Sequence, residues 1–287
     1  MSHSAALIST EELARRLGAP GLRVFDCTTY LRPRPEGGYN VESGRANYDK
    51  GHIPGAAFLD LPGELSEPDT RLRFTLPSLG ELTKAFAAKG IGHGTFVVLY
   101  SHATPNWATR VWWMLRAVGF DRAAVLNGGW KKWTLEGRPI STDPCVYPPA
   151  RFVTRPRPEI FVGKDAVLAG LGQRATCVIN ALSDEQHRGT GGVAYGRPGR
   201  IAGSGNVPAR SLVDPATHAY LAPDALRRQF AASGALAAGR VITYCGGGIA
   251  ASSDAFVLTL LGHDQVSVYD ASLSEWASDP SLPMEKG

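Results

Sequence analysis

The chain repeats itself, and a repeat constrains a fold more than local propensity does. Asp26 answers to Asn180 (180 − 26 = 154) and Pro54 to Pro208 (208 − 54 = 154), whereas Ser101 answers to Cys245 (245 − 101 = 144) and Trp133 to Trp276 (276 − 133 = 143). A near-constant offset on either side of one length change is what a duplicated unit with a loop insertion produces. In the first copy, Ser9 with Glu12 three residues later opens a capped helix that carries Leu13 and Leu17 and stops at Gly18. A strand at 22–27 follows, then a polar Gly/Pro-rich loop and Gly51-His52-Ile53-Pro54-Gly55-Ala56. A second helix, capped by Ser78 and Glu81, carries Leu82 and Phe86 and ends near Gly90. An apolar strand at 96–100, a Trp-rich helix with Trp112, Trp113 and Leu115, and a last strand at 123–127 complete the unit. The second copy runs through strands at 176–181, 241–244 and 266–269, with helices carrying Leu226 and Phe230 and ending at Leu261.

Between the copies lie Pro144, Pro148, Pro149, Pro156 and Pro158, a stretch that cannot enter a helix or central strand. The expected organisation is therefore a first domain over 1–140, a linker over 141–158 and a second domain over 159–287. A chain of 287 residues agrees with two domains. Strands that are apolar throughout, such as Phe96-Val97-Val98-Leu99, alternate with helices, so the expected fold is α/β: a parallel sheet covered on both faces, built twice. Ligands then bind at the carboxyl ends of the strands, which directs attention to the loops after Tyr100 and Tyr244.

Those loops differ in chemistry. The first reads Ser101-His102-Ala103-Thr104-Pro105, the second Cys245-Gly246-Gly247-Gly248-Ile249-Ala250. A cysteine that ends a buried strand and is followed by three glycines and a helix start can sit in a bowl of backbone N–H groups, which favours an anionic sulfur. Cys27, Cys145 and Cys177 have no such loop and read as small core hydrophobes. With no Cys-x-x-Cys pair and no Cys/His cluster, the four cysteines form neither a disulfide framework nor a metal site, and reduced cytoplasm is the expected compartment. No signal peptide or membrane span is evident, and the 30 Lys+Arg are interleaved with 26 Asp+Glu, so neither membrane nor nucleic acid is an expected partner. Two other uses of the loop compete. Gly246 to Ala251 fits G-x-G-x-x-A, with Asp270 about where a dinucleotide fold places its ribose-binding acid, but too little chain follows to finish such a domain. A cysteine phosphatase needs an arginine where this chain has Ala251.

The residues resemble the tandem-domain rhodanese-like sulfurtransferases over nearly the whole chain: Gly51 to Ala56 looks like the first-domain signature, Asn127-Gly128-Gly129-Trp130 like the domain-end motif, and residues 245–252 like the active-site loop. The resemblance implies two domains, each a five-stranded parallel sheet flanked by helices, of which only the C-terminal one is catalytic. It implies that Cys245 takes sulfur from a small anionic donor, thiosulfate or 3-mercaptopyruvate, as a persulfide held by Gly246, Gly247, Gly248, Ile249 and Ala250, and passes it to cyanide or a dithiol protein without a cofactor. It also assigns Arg188 and Arg197 to the donor's anionic end, with Arg200 as a substitute. His52 is expected to organise a loop and His102 to be structural. The sequence departs from the family at the donor-selecting positions: thiosulfate users carry basic residues where Gly246 and Gly247 stand, while mercaptopyruvate users carry a serine at Gly247 and a histidine at Phe74, leaving only Asp60 of their relay. A catalytically weak module that binds a partner or senses redox state is the competing reading.

Overall fold

The computed structural model describes residues 6–35, 38–68 and 71–287. Its strands are β1 (Leu7–Ile8), β2 (Leu22–Asp26), β3 (Thr29–Pro33), β4 (Tyr39–Ser43), β5 (Ala56–Phe58), β6 (Phe96–Tyr100), β7 (Ala123–Leu126), β8 (Phe161–Val162), β9 (Thr176–Asn180), β10 (Arg200–Ile201), β11 (Gly205–Asn206), β12 (Arg240–Tyr244), β13 (Val266–Tyr269) and β14 (Met284–Glu285). Two five-stranded parallel sheets result, ordered β1-β7-β6-β2-β5 and β11-β9-β12-β13-β8, each flanked by helices. Under the duplication β1 answers to β8, β2 to β9, β5 to β11, β6 to β12 and β7 to β13, so the two sheets share one strand order. The central strands are buried along nearly their whole length, as parallel strands covered on both faces must be.

The register revises one of the sequence correspondences. Asp26 pairs with Phe58, and Asn180, its counterpart, pairs with Asn206, so this part of the repeat has an offset of 148 (206 − 58 = 148). Pro54 therefore corresponds to Ala202, not Pro208, and Gly51 to Ala56 corresponds to 199–204. The tyrosines confirm it: Ile53 N donates to the Tyr100 hydroxyl at 3.3 Å, and Ile201 N to the Tyr244 hydroxyl at 3.1 Å. The extra residues of the first copy (52 − 26 = 26 against 200 − 180 = 20) fall in the stretch that contains the antiparallel hairpin β3–β4, which the sequence reading treated as loop.

Local signals behaved as their physics requires. Ser78 and Glu81 form a reciprocal capping box, whereas at Ser9 only the hydroxyl accepts from Glu12 N, because the Glu12 carboxylate turns to Arg16 at 3.3 Å. The proline-rich segment is extended, but it is bound to the first half and does not act as a free spacer. Ser141 bridges His52, the Tyr147 hydroxyl donates to Gly55 O at 2.5 Å, and Arg155 N and Arg157 N donate to Val118 O and Ala117 O. Both ring nitrogens of His52 face carbonyl oxygens, of Tyr48 and Asp143, which ties that strap down.

The halves meet through helices Asn106–Ala117 and Ile249–Leu260, which are counterparts at an offset of 143 (249 − 106 = 143). Thr109 Oγ1 and Ser252 Oγ, also counterparts (252 − 109 = 143), hydrogen-bond to each other at 2.8 Å, and Trp113 Nε1 donates to Ser252 O at 2.9 Å. Arg110, fully buried, reaches from the first half to Asp270 Oδ1 at 2.5 Å and to Phe74 O at 2.6 Å. Asp270 Oδ2 in turn accepts from Leu76 N at 2.8 Å, just as its counterpart Asn127 accepts from Tyr220 N. Among the described residues no helix is long and apolar enough to cross a membrane.

Candidate active site

Cys245 is the first residue beyond β12, and only 2% of it is exposed. Its loop is held from below by the segment after β13. Ser272 Oγ accepts from Cys245 N at 3.0 Å and Gly248 N at 3.1 Å and donates to Tyr269 O at 2.7 Å, so the hydroxyl uses its full capacity. Ser272 does this with a left-handed backbone, φ +52°, matching the +50° of its counterpart Gly129. Leu273 N donates to Cys245 O, and Ser274 N and Oγ to Gly246 O at 2.9 and 2.7 Å. Among the described residues the N–H groups of Gly246, Gly247, Ile249 and Ala250 make no such bond, which leaves them available to an anion at the sulfur.

The three glycines have different reasons. Gly248 has φ +75°, and a Cβ there would lie 2.6 Å from Asp270 O. Gly246 has no positive φ, yet a Cβ on it would lie 2.5 Å from the Tyr195 hydroxyl and nearer still to the ring atoms Cζ and Cε1. Gly247 has room: the nearest atoms are Arg73 O at 3.6 Å and Phe74 Cδ2 at 3.8 Å.

Above the sulfur lies a cavity of about 470 Å³ that opens between the two halves. The second half supplies its floor, with Leu182, Ala194, Tyr195 and the Cys245 loop; the first half supplies the facing wall. That wall is the hairpin (Tyr30, Leu31, Arg34, Tyr39), the segment with Arg71, Arg73 and Phe74, and the start of the interdomain helix, Asn106 and Trp107. Arg73 Nη1 donates to Tyr39 O, and Phe74 (φ +65°) packs edge-on against Trp107 at 5.5 Å. Burial pushes the Tyr195 phenol far up, with Tyr39 and the Cys245 sulfur adding to the shift, so it keeps its proton beside the thiol. Burial likewise raises the Cys27, Cys145 and Cys177 thiols, in keeping with inert core cysteines.

The other expected residues lie elsewhere. Arg188 ends the short helix Asp184–Arg188 with its side chain exposed and does not line the cavity. Arg197 lines a neighbouring cleft of about 280 Å³, and its guanidinium donates to the carbonyls of Trp276, Ala277, Asp279 and Leu282, at and beyond the end of the last helix. The structure thus does not converge these two arginines on Cys245. Arg200, the counterpart of His52, is turned to Glu285 at 3.3 Å and to Gly287 O. Asp60 stands at the N-cap position of the helix Leu61–Glu64 without a side-chain capping bond, its carboxyl pKa raised mainly by burial, and does not line the cavity. The arginines the cavity does present, Arg34, Arg71 and Arg73, all come from the first half and were missed because nothing in the sequence shows which loop faces which across a domain boundary. Asp270 is engaged by Arg110 and Leu76 N and is not a free ribose-binding acid, which removes the feature that favoured a dinucleotide.

Among the described residues, the pocket at the first half's own loop, lined by Tyr100, Ser101, Pro105, Gly128 and Gly129, has no room for a water-sized molecule. His102, the counterpart of Gly246 (246 − 102 = 144), lies 3.0 Å from the buried Asp26 carboxylate and stacks on Trp130 at 4.4 Å. Among the described residues no group of three His, Cys, Asp or Glu side chains could hold a metal ion.

Comparison with known proteins finds relatives along nearly the whole chain. The family described as rhodanese-like domain matches residues 9–136 and 180–279. A Pseudomonas aeruginosa protein named "Probable 3-mercaptopyruvate sulfurtransferase" is 31% identical over 99% of this chain and 99% of its own. The thiosulfate sulfurtransferase of Bos taurus is 30% identical over 94% and 91%. Among solved structures, the anaerobic ergothioneine biosynthesis enzyme from Chlorobium limicola, bound to trimethyl histidine, superposes with a TM-score of 0.83 at 27% identity, covering 99% of this chain and 71% of that one.

Proposed function

With the chain a member of the rhodanese-like family and an enzyme of sulfur transfer, we propose that Cys245 is the residue that carries the sulfur. The observation that supports this most is its position: a nearly buried thiol at the floor of the interdomain cavity, ringed by backbone N–H groups without other partners. The Cys245 thiolate attacks the outer sulfur of a donor, the donor's bond to that sulfur breaks, and its electron pair leaves with the donor remnant. The persulfide that results, a soft anion, is stabilised by the N–H groups of 246, 247, 249 and 250. Cyanide or a thiolate then attacks the outer sulfur, and the electron pair of the S–S bond returns to Cys245. No oxidant or cofactor enters the cycle.

In this reading residues 159–287 form the sulfur-carrying domain and residues 1–140, joined through 141–158, supply the wall that selects the small molecule, in a cytoplasmic enzyme. The guanidinium groups of Arg34, Arg71 and Arg73 supply the positive charge for an anionic donor. The test is intact mass after incubation with thiosulfate or 3-mercaptopyruvate. The protein gains one sulfur atom on Cys245 and yields thiocyanate with cyanide; Cys245→Ser turning over like the wild type would end the proposal.

A further inference from the structure

We propose that Tyr195 is a specificity-determining residue of this site: it denies position 246 a side chain and so keeps a cation from the place directly after the reacting cysteine. This rests on the reading of Cys245 as the sulfur carrier. Gly246 directly follows the cysteine, and its backbone does not require glycine, because its φ is not positive. What excludes a side chain is the Tyr195 ring, which occupies the volume a Cβ would need.

Neither partner can step aside freely. Gly246 O is fixed by Ser274 N and Oγ. Two residues beyond Tyr195, Arg197 grips four carbonyls of the C-terminal loop, and Tyr195 packs against Tyr39 of the opposite half with ring centroids 6.1 Å apart. The cationic lining residues among those described, Arg34, Arg71 and Arg73, belong to the first half, and none is part of the Cys245 loop itself. A compact inorganic dianion such as thiosulfate carries its charge on the attacked sulfur itself and on oxygens two bonds away, and so needs a cation beside the loop, since Coulomb attraction falls with distance. An organic sulfur donor with a carboxylate spaced from its sulfur can reach the first-half arginines without one. Tyr195 thus tilts the site towards the organic donor.

The experiment measures sulfur loading of Cys245 by intact mass, with thiosulfate and with 3-mercaptopyruvate, in the wild type, Gly246→Arg, and Gly246→Arg combined with Tyr195→Ala. Gly246→Arg alone slows loading from both donors. The double variant recovers loading and shifts the thiosulfate-to-mercaptopyruvate ratio by about tenfold or more over wild type, of the order expected for one well-placed charge. A tyrosine that merely supported the fold would move both donors together. Should Gly246→Arg fail to fold, Gly246→Ala serves: it lowers the melting temperature with Tyr195 present and does so less in the Tyr195→Ala background. The inference is overturned if Gly246→Arg loads like the wild type, if the double variant keeps the wild-type ratio, or if Gly246→Ala costs the same in both backgrounds. A wild-type protein that takes no sulfur from either donor overturns the sulfur-carrier reading, and the inference with it.

Discussion

Ser272 is the support on which the Cys245 loop rests, and removing its hydroxyl is the sharpest test of how that loop is held. In Ser272→Ala three buried groups lose their partner at once: Cys245 N, Gly248 N and Tyr269 O. Each buried polar group left unpaired costs about 1–3 kcal/mol, and because the three share one atom the costs do not simply add, so about 3 kcal/mol is expected in total. Alanine also inherits the left-handed backbone at φ +52°. Ser272→Gly loses the same hydrogen bonds but relieves that conformation, which costs an L-residue about 1 kcal/mol, and should therefore lose only about 2 kcal/mol. Urea unfolding followed by fluorescence measures both. Sulfur loading falls in parallel by roughly 10–100-fold, because a loop shifted by a fraction of an ångström no longer presents its N–H groups to the sulfur. A Ser272→Ala variant within about 0.5 kcal/mol of wild type, the range of an ordinary surface change, would refute the reasoning. So would a glycine variant less stable than the alanine one.

Arg110→Met leaves the Asp270 carboxylate without its interdomain partner and should destabilise the chain by roughly 3 kcal/mol, read by chemical denaturation; adding Asp270→Asn recovers part of that loss. Asp254 is fully buried among the described residues with neither carboxyl oxygen hydrogen-bonded, and burial raises its pKa well above the usual carboxylate range. The folded state then holds a proton that the unfolded state releases above its pKa of about 3.9, so this group's contribution to stability falls as pH rises past that point. The stability of Asp254→Leu relative to wild type should consequently grow between roughly pH 4 and 7, the span that opens above the unfolded carboxyl's pKa. A difference independent of pH would show that Asp254 is ionised in the fold.

Strand positions, the Ser78–Glu81 cap and the lone thiol loop were legible because each is written in neighbouring residues. The match of Pro54 to Pro208 was not, since identical residue types outweighed a loop insertion that only strand register reveals. The hairpin β3–β4 was hidden by its prolines and glycines, although the alternation in Thr29-Tyr30-Leu31 and Tyr39-Asn40-Val41 was a usable signal. The arginines that line the cavity come from the first half, whereas the resemblance pointed to Arg188 and Arg197 of the second, and Tyr195 stands in a Gly-rich stretch that carries no pattern. These contacts join residues far apart in the chain, where periodicity and capping carry no information.

Thr109 touching Ser252 has a further consequence. A residue that meets its own counterpart marks a local two-fold axis, the arrangement that pairs two identical chains through one shared patch. Such a pair carries every mutation twice, once on each side, and could not give one copy a thiol in a bowl of glycines while packing His102 against Trp130 in the other. Joining the partners into one polypeptide frees each side to change alone. In the present chain one half carries the thiol loop, and the other supplies the facing wall of the cavity above it.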